Sequence, residues 1–536
     1  MSTKINRRSF VSGAALGASG ILGGALNKAI AANAKDGSAQ GPVANTTSGK
    51  IRGVVQENKV NAFRGVPYGA PTGGANRFMP PVKPEAWTGI KETVEWGPEA
   101  PQGPHTEIPE VAATIPKQTI SEDCLHLNVW TNGLDTRKRP VMLWLHGGGF
   151  TSGNGSYTMY DGANMARKHD VVTVTINHRL NSFGFLYLAE IGGTKFANAS
   201  NCGILDAVAA LEWVRDNIAN FGGDPNNVTI FGQSGGASKV STLLAMPSAK
   251  GLFHRAIIQS GANLKGFSTD DATKTAHTLM DKLGVKTAEE LQQVPMDQLV
   301  AATLSTRGLR LGPVVDGKTL PGGPFDPTAP AMSADVPVLI GSTEFEVNFF
   351  PNTKLDRIDD AELHAAVKQA TRADDAAVDK LIAIYRKGRP NATQVDLSQI
   401  IASDGFRSTV ITEGERKSAQ IAPVYMYYFT WKSPVHDGKL KAFHTLEIPF
   451  VLDNVDEAKS MTGSGADRYP LQDKMSGAWA AFARTGNPNH KGLPNWPAFK
   501  TDQRATMIFD NQCKVENDPH GEERLALAAL RTGAQA

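Results

Sequence analysis

An α/β protein is predicted, with a large, mostly parallel twisted sheet covered by helices on both faces. Three observations predict it. Short β-branched runs alternate with stretches of helical period, the order that builds strand–helix–strand units. Residues 140–146 and 171–177 are almost continuously apolar or β-branched, as strands buried on both faces are. The chain has 536 residues, 41% of them hydrophobic and 20% charged, enough for a large core and too apolar for disorder.

In chain order, residues 1–34 read as an address rather than as part of the fold. Asn6-Arg7-Arg8-Ser9-Phe10-Val11 precedes a Gly/Ala-rich apolar stretch to about Ile30, and Ala32-Asn33-Ala34 offers small residues to a signal peptidase. A paired arginine before a Phe and a softened apolar region is the twin-arginine export pattern, which predicts a periplasmic or secreted bacterial protein. Residues 35–536 are read as one domain, opening on a small, polar leader over 35–48. Strand character begins with Ile51, Val54 and Val55 and returns at 62–68. Residues 69–120, rich in Pro and Gly with little period, predict long surface loops. Strands are expected at 128–130, 140–146 and 171–177. Leu205, Val208, Leu211, Trp213, Val214 and Ile218 share one side of a helix over 205–221, which Gly222-Gly223-Asp224-Pro225 stops. A strand at 228–231 and a helix at 237–246 follow, then strands at 255–259, 336–340 and 424–431. Amphipathic helices are expected within 268–305 and 360–387, a late helix at 475–484 and a late strand at 505–509.

Charge and cysteine content narrow the function classes. Lys+Arg 55 against Asp+Glu 53 gives +2. Loss of the leader removes four basic residues and no acid, so 51 basic groups face 53 acidic ones, a net −2. No basic stripe interleaved with aromatics exists, so a nucleic-acid partner is not expected. Outside the N-terminus no apolar run reaches the about 18 residues of a membrane span. Cys124, Cys202 and Cys513 lack a C-x-x-C pair and read as small buried hydrophobes, not as a disulfide framework or zinc site.

Between the strand at 228–231 and the helix that follows lies Gly232-Gln233-Ser234-Gly235-Gly236, the one G-x-S-x-G of the chain. A serine on a sharp strand-to-helix turn is pushed out of the sheet, and flanking glycines let neighbouring backbone pass closely. The helix behind it supplies free N–H groups and the positive end of a dipole. A second cluster, His146-Gly147-Gly148-Gly149-Phe150, directly follows the strand at 140–146. Three successive glycines cost backbone entropy, which makes sense where main-chain amides must face a substrate oxygen. This HGGG form completes an oxyanion hole in α/β-hydrolases, with Gly148, Gly149 and Gly235 as donors.

With these elements in this order, the chain resembles the type-B carboxylesterase family over about residues 43–515. Further marks are 63–69 (Phe-Arg-Gly-Val-Pro-Tyr-Gly), 121–130 (Ser-Glu-Asp-Cys-Leu-His-Leu-Asn-Val-Trp), Asn217-Ile218 leading to Gly222-Gly223-Asp224-Pro225, and Gln259-Ser260-Gly261. The resemblance implies the α/β-hydrolase fold with long loop insertions and a serine esterase that uses water and a small-molecule ester and needs no metal or cofactor. A serine hydroxyl needs a base, and the base an orienting carboxylate, in the order Ser, acid, His. Five downstream histidines, His364, His436, His444, His490 and His520, are not separated by spacing. The family's histidine motif matches 443–450 and selects His444, with His436 in reserve. The family places its acid five residues after Gly341, which selects Glu346; Phe345 and Val347 depart from the usual D-E-G, so Glu344 stays open. Ser260 matches a family serine that supports the His–acid pair.

Three departures bear on substrate. Gln233 stands where the family often has Glu, and the loop before Ser121 lacks the tryptophan with which cholinesterases stack a quaternary ammonium, so choline esters are not expected. Ala100 stands where a partner for Cys124 would be, which removes a loop-closing disulfide. Phe349 and Phe350 resemble gorge-lining positions, and with Phe150 they point to apolar or aromatic esters. The same acyl-enzyme chemistry serves amides, carbamates and lactones, which the residues do not separate. Non-catalytic adhesion relatives of this family usually lack the nucleophile, whereas Ser234 is present.

Overall fold

In the computed structural model, which describes residues 41–106 and 108–533, the apolar runs become the middle of one sheet. The first strands are β1 (Val43–Thr46), β2 (Gly49–Arg52), β3 (Val54–Val55), β4 (Asn61–Pro67), β5 (Ile90–Glu92), β6 (His126–Thr131) and β7 (Arg139–Leu145). Then come β8 (Val172–Ile176), β9 (Gly223–Gln233), β10 (Arg255–Gln259), β11 (Val338–Thr343), β12 (Val424–Phe429), β13 (Ala505–Phe509) and β14 (Lys514–Asn517). β1, β2 and β5 form a small sheet, and the others an eleven-stranded one in the order β14-β13-β12-β11-β10-β9-β7-β8-β6-β4-β3. Its centre, β8 through β13, is parallel, and antiparallel pairs close both edges. This is the mostly parallel sheet expected.

Alternation of side chains explains why the strands read as unbroken apolar runs. Val141, Leu143 and Leu145 of β7 enter one core with Val228 and Ile230 of β9 and the helix Cys202–Asn217. Met142 and Trp144 point the other way, into a second core with Phe231, Leu339 and the helix Arg468–Thr485. A strand covered on both faces needs an apolar residue at every position, and all seven residues of β7 are buried. Because the central strands are parallel, their C-terminal ends lie along one edge. Leu145 pairs with Gly232, Gln233 with Gln259, and Gln259 with Gly341, so the loops leaving β7, β9, β10 and β11 start side by side. Active sites of open α/β sheets are built at such an edge.

The differences from the sequence reading have local causes. The expected leader over 1–34 lies outside the described residues, and β1 occupies part of the stretch read as a polar lead-in. The loops of 69–120 are largely irregular as expected, but they are pinned. Arg77 pairs with Glu122 at 2.5 Å, and the Gln102 amide exchanges two hydrogen bonds with the Gly153 backbone. The helix Gln394–Ser418, 25 residues long, was not anticipated. Its inward face carries Gln399, Ser403, Asp404, Arg407, Glu413 and Lys417 among the aliphatics, so its apolar period is diluted. β14 and the terminal helix Gly521–Gly533 were also missed. All three cysteines are free thiols; Cys124 and Cys202 are buried as expected, and Cys513 only partly. No helix among the described residues is long and apolar enough to cross a membrane.

Candidate active site

Ser234 follows the last residue of β9 and is the N-cap of the helix Gly235–Leu243. Its backbone, at φ 57° and ψ −124°, lies in a sparsely populated region, a strain of order 1–3 kcal/mol that the surroundings hold. The clamp is backbone on backbone. The Ser234 N–H donates to the Gln259 carbonyl at 2.8 Å, and a Cβ on Gly236 would lie 1.9 Å from the Leu145 carbonyl oxygen. Only glycine lets the helix start this close to β7, which is why the motif demands it.

The glycine loop leaves β7 beside this turn. Gly148 and Gly149 adopt φ of 85° and 61°, left-handed backbone that favours glycine. The loop's carbonyls are engaged from behind: Gly147 O meets His146 Nδ1 at 2.8 Å, Gly148 O accepts from the Thr151 and Ser152 amides, and Gly149 O accepts from Lys239 Nζ at 2.8 Å. The amides of Gly148 and Gly149 donate to no protein acceptor among the described residues, and both glycines are exposed. Gly235 packs against this loop so closely that a Cβ would sit 2.1 Å from Gly149 O. As the first residue of its helix it has no preceding carbonyl to bond and no side-chain cap competes for the turn. Among the described residues none of the three predicted donor amides has an acceptor, and Gly149 and Gly235 lie against each other.

Glu346 and His444 come from the other half of the sheet. β11 ends at Thr343, and Phe345 forms an isolated bridge with Phe443, its N–H donating to Ala442 O at 2.9 Å. The next residue on each chain, Glu346 and His444, therefore leaves the same rung. Glu346 Oε2 and His444 Nδ1 are 2.5 Å apart, with the two residues 0% and 2% exposed. The second carboxylate oxygen accepts from the Thr343 N–H at 2.9 Å. Bonding to Glu346 through Nδ1 leaves Nε2 as the ring nitrogen that the acid does not engage. Gln233, the neighbour of Ser234, places its Nε2 3.2 Å from His444 Nε2 and 3.3 Å from Nδ1, so the amide lies over the ring. The Ser234 hydroxyl has no hydrogen-bond partner among the described residues. In unliganded enzymes such bonds often tighten only when substrate is bound.

The alternatives separate cleanly. Glu344 points away from His444, among Lys432, Arg389, His520 and Asp404, and burial raises its carboxyl. His436 lies apart, bonded to Glu110. The supporting bond expected of Ser260 is not formed. Its hydroxyl is buried with no partner among the described residues, while Glu346 bonds His444 and Thr343 instead. Two residues that the sequence reading passed over stand close. Glu447, three after His444, is fully buried; its carboxyl is pushed up to about 7 by burial and by the Glu346 charge, and it accepts from Gln259 Nε2 at 3.3 Å. Phe406, from the unforeseen long helix, joins Phe349 and Phe350 around the imidazole, at centroid distances of 5.7, 5.4 and 6.0 Å. Phe350, 39% exposed, also lines a groove of about 610 Å³ with Val347, Ile358, Ala366 and Ala402. Phe150 does not join these rings; it packs against the core, edge-on to Phe185 at 5.0 Å, with Lys239 Nζ over its face.

The profile of the Carboxylesterase family matches residues 40–526. Para-nitrobenzyl esterase of Bacillus subtilis is 36% identical over 498 residues, covering 90% of this chain and 98% of that one. Phenmedipham hydrolase of Pseudarthrobacter oxydans is 32% identical over 507 residues, 91% and 99% of the two chains. The crystal structure of a Geobacillus stearothermophilus carboxylesterase superimposes with a TM-score of 0.79 at 37% identity, covering 90% of this chain and 99% of that one. Together with the parallel sheet and the serine turn at its edge, these likenesses show that the chain belongs to the carboxylesterase family, α/β-hydrolase-fold serine hydrolases that cleave carboxylic esters.

Proposed function

We propose that Ser234, His444 and Glu346 are the catalytic triad of this esterase and that the amides of Gly148, Gly149 and Gly235 form its oxyanion hole. The observation that carries the reading is the buried 2.5 Å contact of Glu346 with His444 Nδ1, beside the residue that precedes Ser234. With Nδ1–H held by Glu346, His444 Nε2 takes the Ser234 proton as Oγ attacks the ester carbonyl. The carbonyl oxygen gains its negative charge against the three amides, each worth about 2.7–4 kcal/mol in the transition state. Collapse breaks the bond to the alkoxy oxygen, which leaves with the proton from His444. Water then attacks the acyl-enzyme, giving its proton to His444, and Ser234 recovers its own as the acid departs.

Apolar or aromatic esters suit this site best. Phe349, Phe350 and Phe406 crowd the imidazole, and neutral Gln233 offers nothing to a cation. Likeness to a para-nitrobenzyl esterase agrees with that preference. We read residues 1–34 as a cleaved twin-arginine leader that exports 35–536 as one folded domain. Two experiments test these readings. A fluorophosphonate probe should label Ser234, mapped by mass spectrometry; labelling that persists in Ser234→Ala would overturn the assignment. Fusing residues 1–34 to a reporter should carry it across the inner membrane, and Arg7→Lys with Arg8→Lys should block transport.

A further inference from the structure

Lys239 is neither a member of the triad nor a donor, yet it lies against the loop that carries two of the donors. It is 0% exposed on the helix Gly235–Leu243, one turn beyond Ser234. Its Nζ donates to Gly149 O at 2.8 Å and His146 O at 3.1 Å, the carbonyls at the two ends of the glycine loop. The ammonium faces the Phe150 ring, 5.3 Å from its centroid, and no carboxylate among the described residues pairs with it. Burial alone pushes it down to about 7. The other titratable groups packed around it bring no compensating charge. His146 and His178, stacked at 4.6 Å, are both held well below the ordinary imidazole range by burial and by the lysine's own charge. Glu413 approaches the same helix but turns to Ser241 Oγ and the Asn263 amide, with its carboxyl raised to about 8 by burial.

We propose that Lys239 is a positioning residue for ester hydrolysis, a strut that holds the glycine loop against the nucleophile's helix and so sets the spacing of the three oxyanion donors. The inference rests on the reading of Gly148, Gly149 and Gly235 as those donors. A buried, unpaired ammonium is costly where an apolar side chain of similar length would pack, so packing does not explain its presence. The loop needs such a strut, because three consecutive glycines have more backbone freedom than any other triplet. Lys239 grips the very oxygen, Gly149 O, that stands where a Cβ on Gly235 would be, 2.1 Å away. The absent Cβ lets the loop close on the helix, and the ammonium keeps it there. Held at His146 O and Gly149 O, the loop carries the Gly148 and Gly149 amides between its two fixed ends.

The test is steady-state hydrolysis of a short para-nitrophenyl ester by Lys239→Arg, Lys239→Gln and Lys239→Met, with Ser234→Ala alongside and thermal melting recorded for each. Lys239→Met should lower kcat by about 10- to 100-fold, less than the loss of a whole donor, with KM changed less than about 3-fold. Affinity for a trifluoromethyl ketone, whose hemiketal oxygen takes the place of the oxyanion, should fall by the same factor as kcat. The order of kcat should be wild type, Arg, Gln, Met, following charge and donor capacity. A packing role predicts the reverse, with Met, the best match in shape, least affected; that order, a wild-type kcat in Lys239→Met, or a change confined to KM would overturn the proposal. Full hydrolysis by Ser234→Ala would instead bring down the site reading, whatever the lysine variants do.

Discussion

The two halves of the site are built by different means. On the β7–β9 side, Ser234 and the glycine loop are shaped by backbone. Positive φ at Ser234, Gly148 and Gly149, and close backbone approaches of the glycine loop and of β7 that exclude a Cβ at Gly235 and Gly236, leave little for distant side chains to decide. On the β11–β12 side, Glu346 and His444 stand 98 residues apart in sequence and meet because one bridge, Phe345 to Phe443, puts them on a common rung. The first half places amides, which need only the main chain; the second places a hydrogen-bonded side-chain couple in a dry environment, which needs a correct partner and neighbours. Backbone devices are written in short motifs, whereas side-chain couples are written across the fold.

The largest effects should come from the atoms where the halves join. Ser234→Ala and His444→Ala should each lower kcat by about 10⁴-fold or more, and the double variant should be scarcely worse than either, because the two act as a unit. Additive losses in esterase assays would mean that they do not. Next comes the carboxylate. Glu346→Gln should cost about 10⁴-fold in kcat by removing the negative charge and turning an amide N–H on His444 Nδ1, which selects the wrong imidazole tautomer, while Glu344→Gln, two residues away but facing Lys432 and Arg389, should stay within about 3-fold. Equal effects would erase the distinction between the two acids.

Smaller effects should sharpen the contrast. Phe350→Ala should raise KM for bulky aromatic esters by about tenfold and leave short acetyl esters nearly unchanged, since burying an aromatic side chain is worth roughly 1.5–3 kcal/mol. The acid–base half also buries two carboxyls together. Glu447 has its folded pKa raised to about 7, above its value of 4.5 in the unfolded chain, so stability falls as pH rises between the two and stays lower beyond. Glu447→Gln should therefore raise Tm relative to wild type at pH 8 by more than at pH 5, by roughly 1–3 kcal/mol of stability at most. A difference independent of pH would show that the carboxyl is not held protonated by its surroundings.

The residues show where sequence was enough and where it was not. Sequence alone carried the parallel sheet, because strands covered on both faces must be apolar throughout, and it carried the serine turn and glycine loop, because no other residue fits those conformations. It singled out Glu346 and His444 only by family likeness; composition and spacing left Glu344 and His436 standing. The long helix Gln394–Ser418 escaped because its inward face mixes polar with apolar groups, and with it went Phe406 and the aromatic wall. Ser260 was expected to support the His–acid pair, but its buried hydroxyl bonds neither member among the described residues. Tertiary structure alone decided which carboxylate meets the imidazole, which rings surround it, and that a buried lysine grips the glycine loop. Local backbone preference acts within a few residues of the chain and is legible there. The burial and charge around a side chain are set by segments hundreds of positions away, and they exist only once those segments have packed.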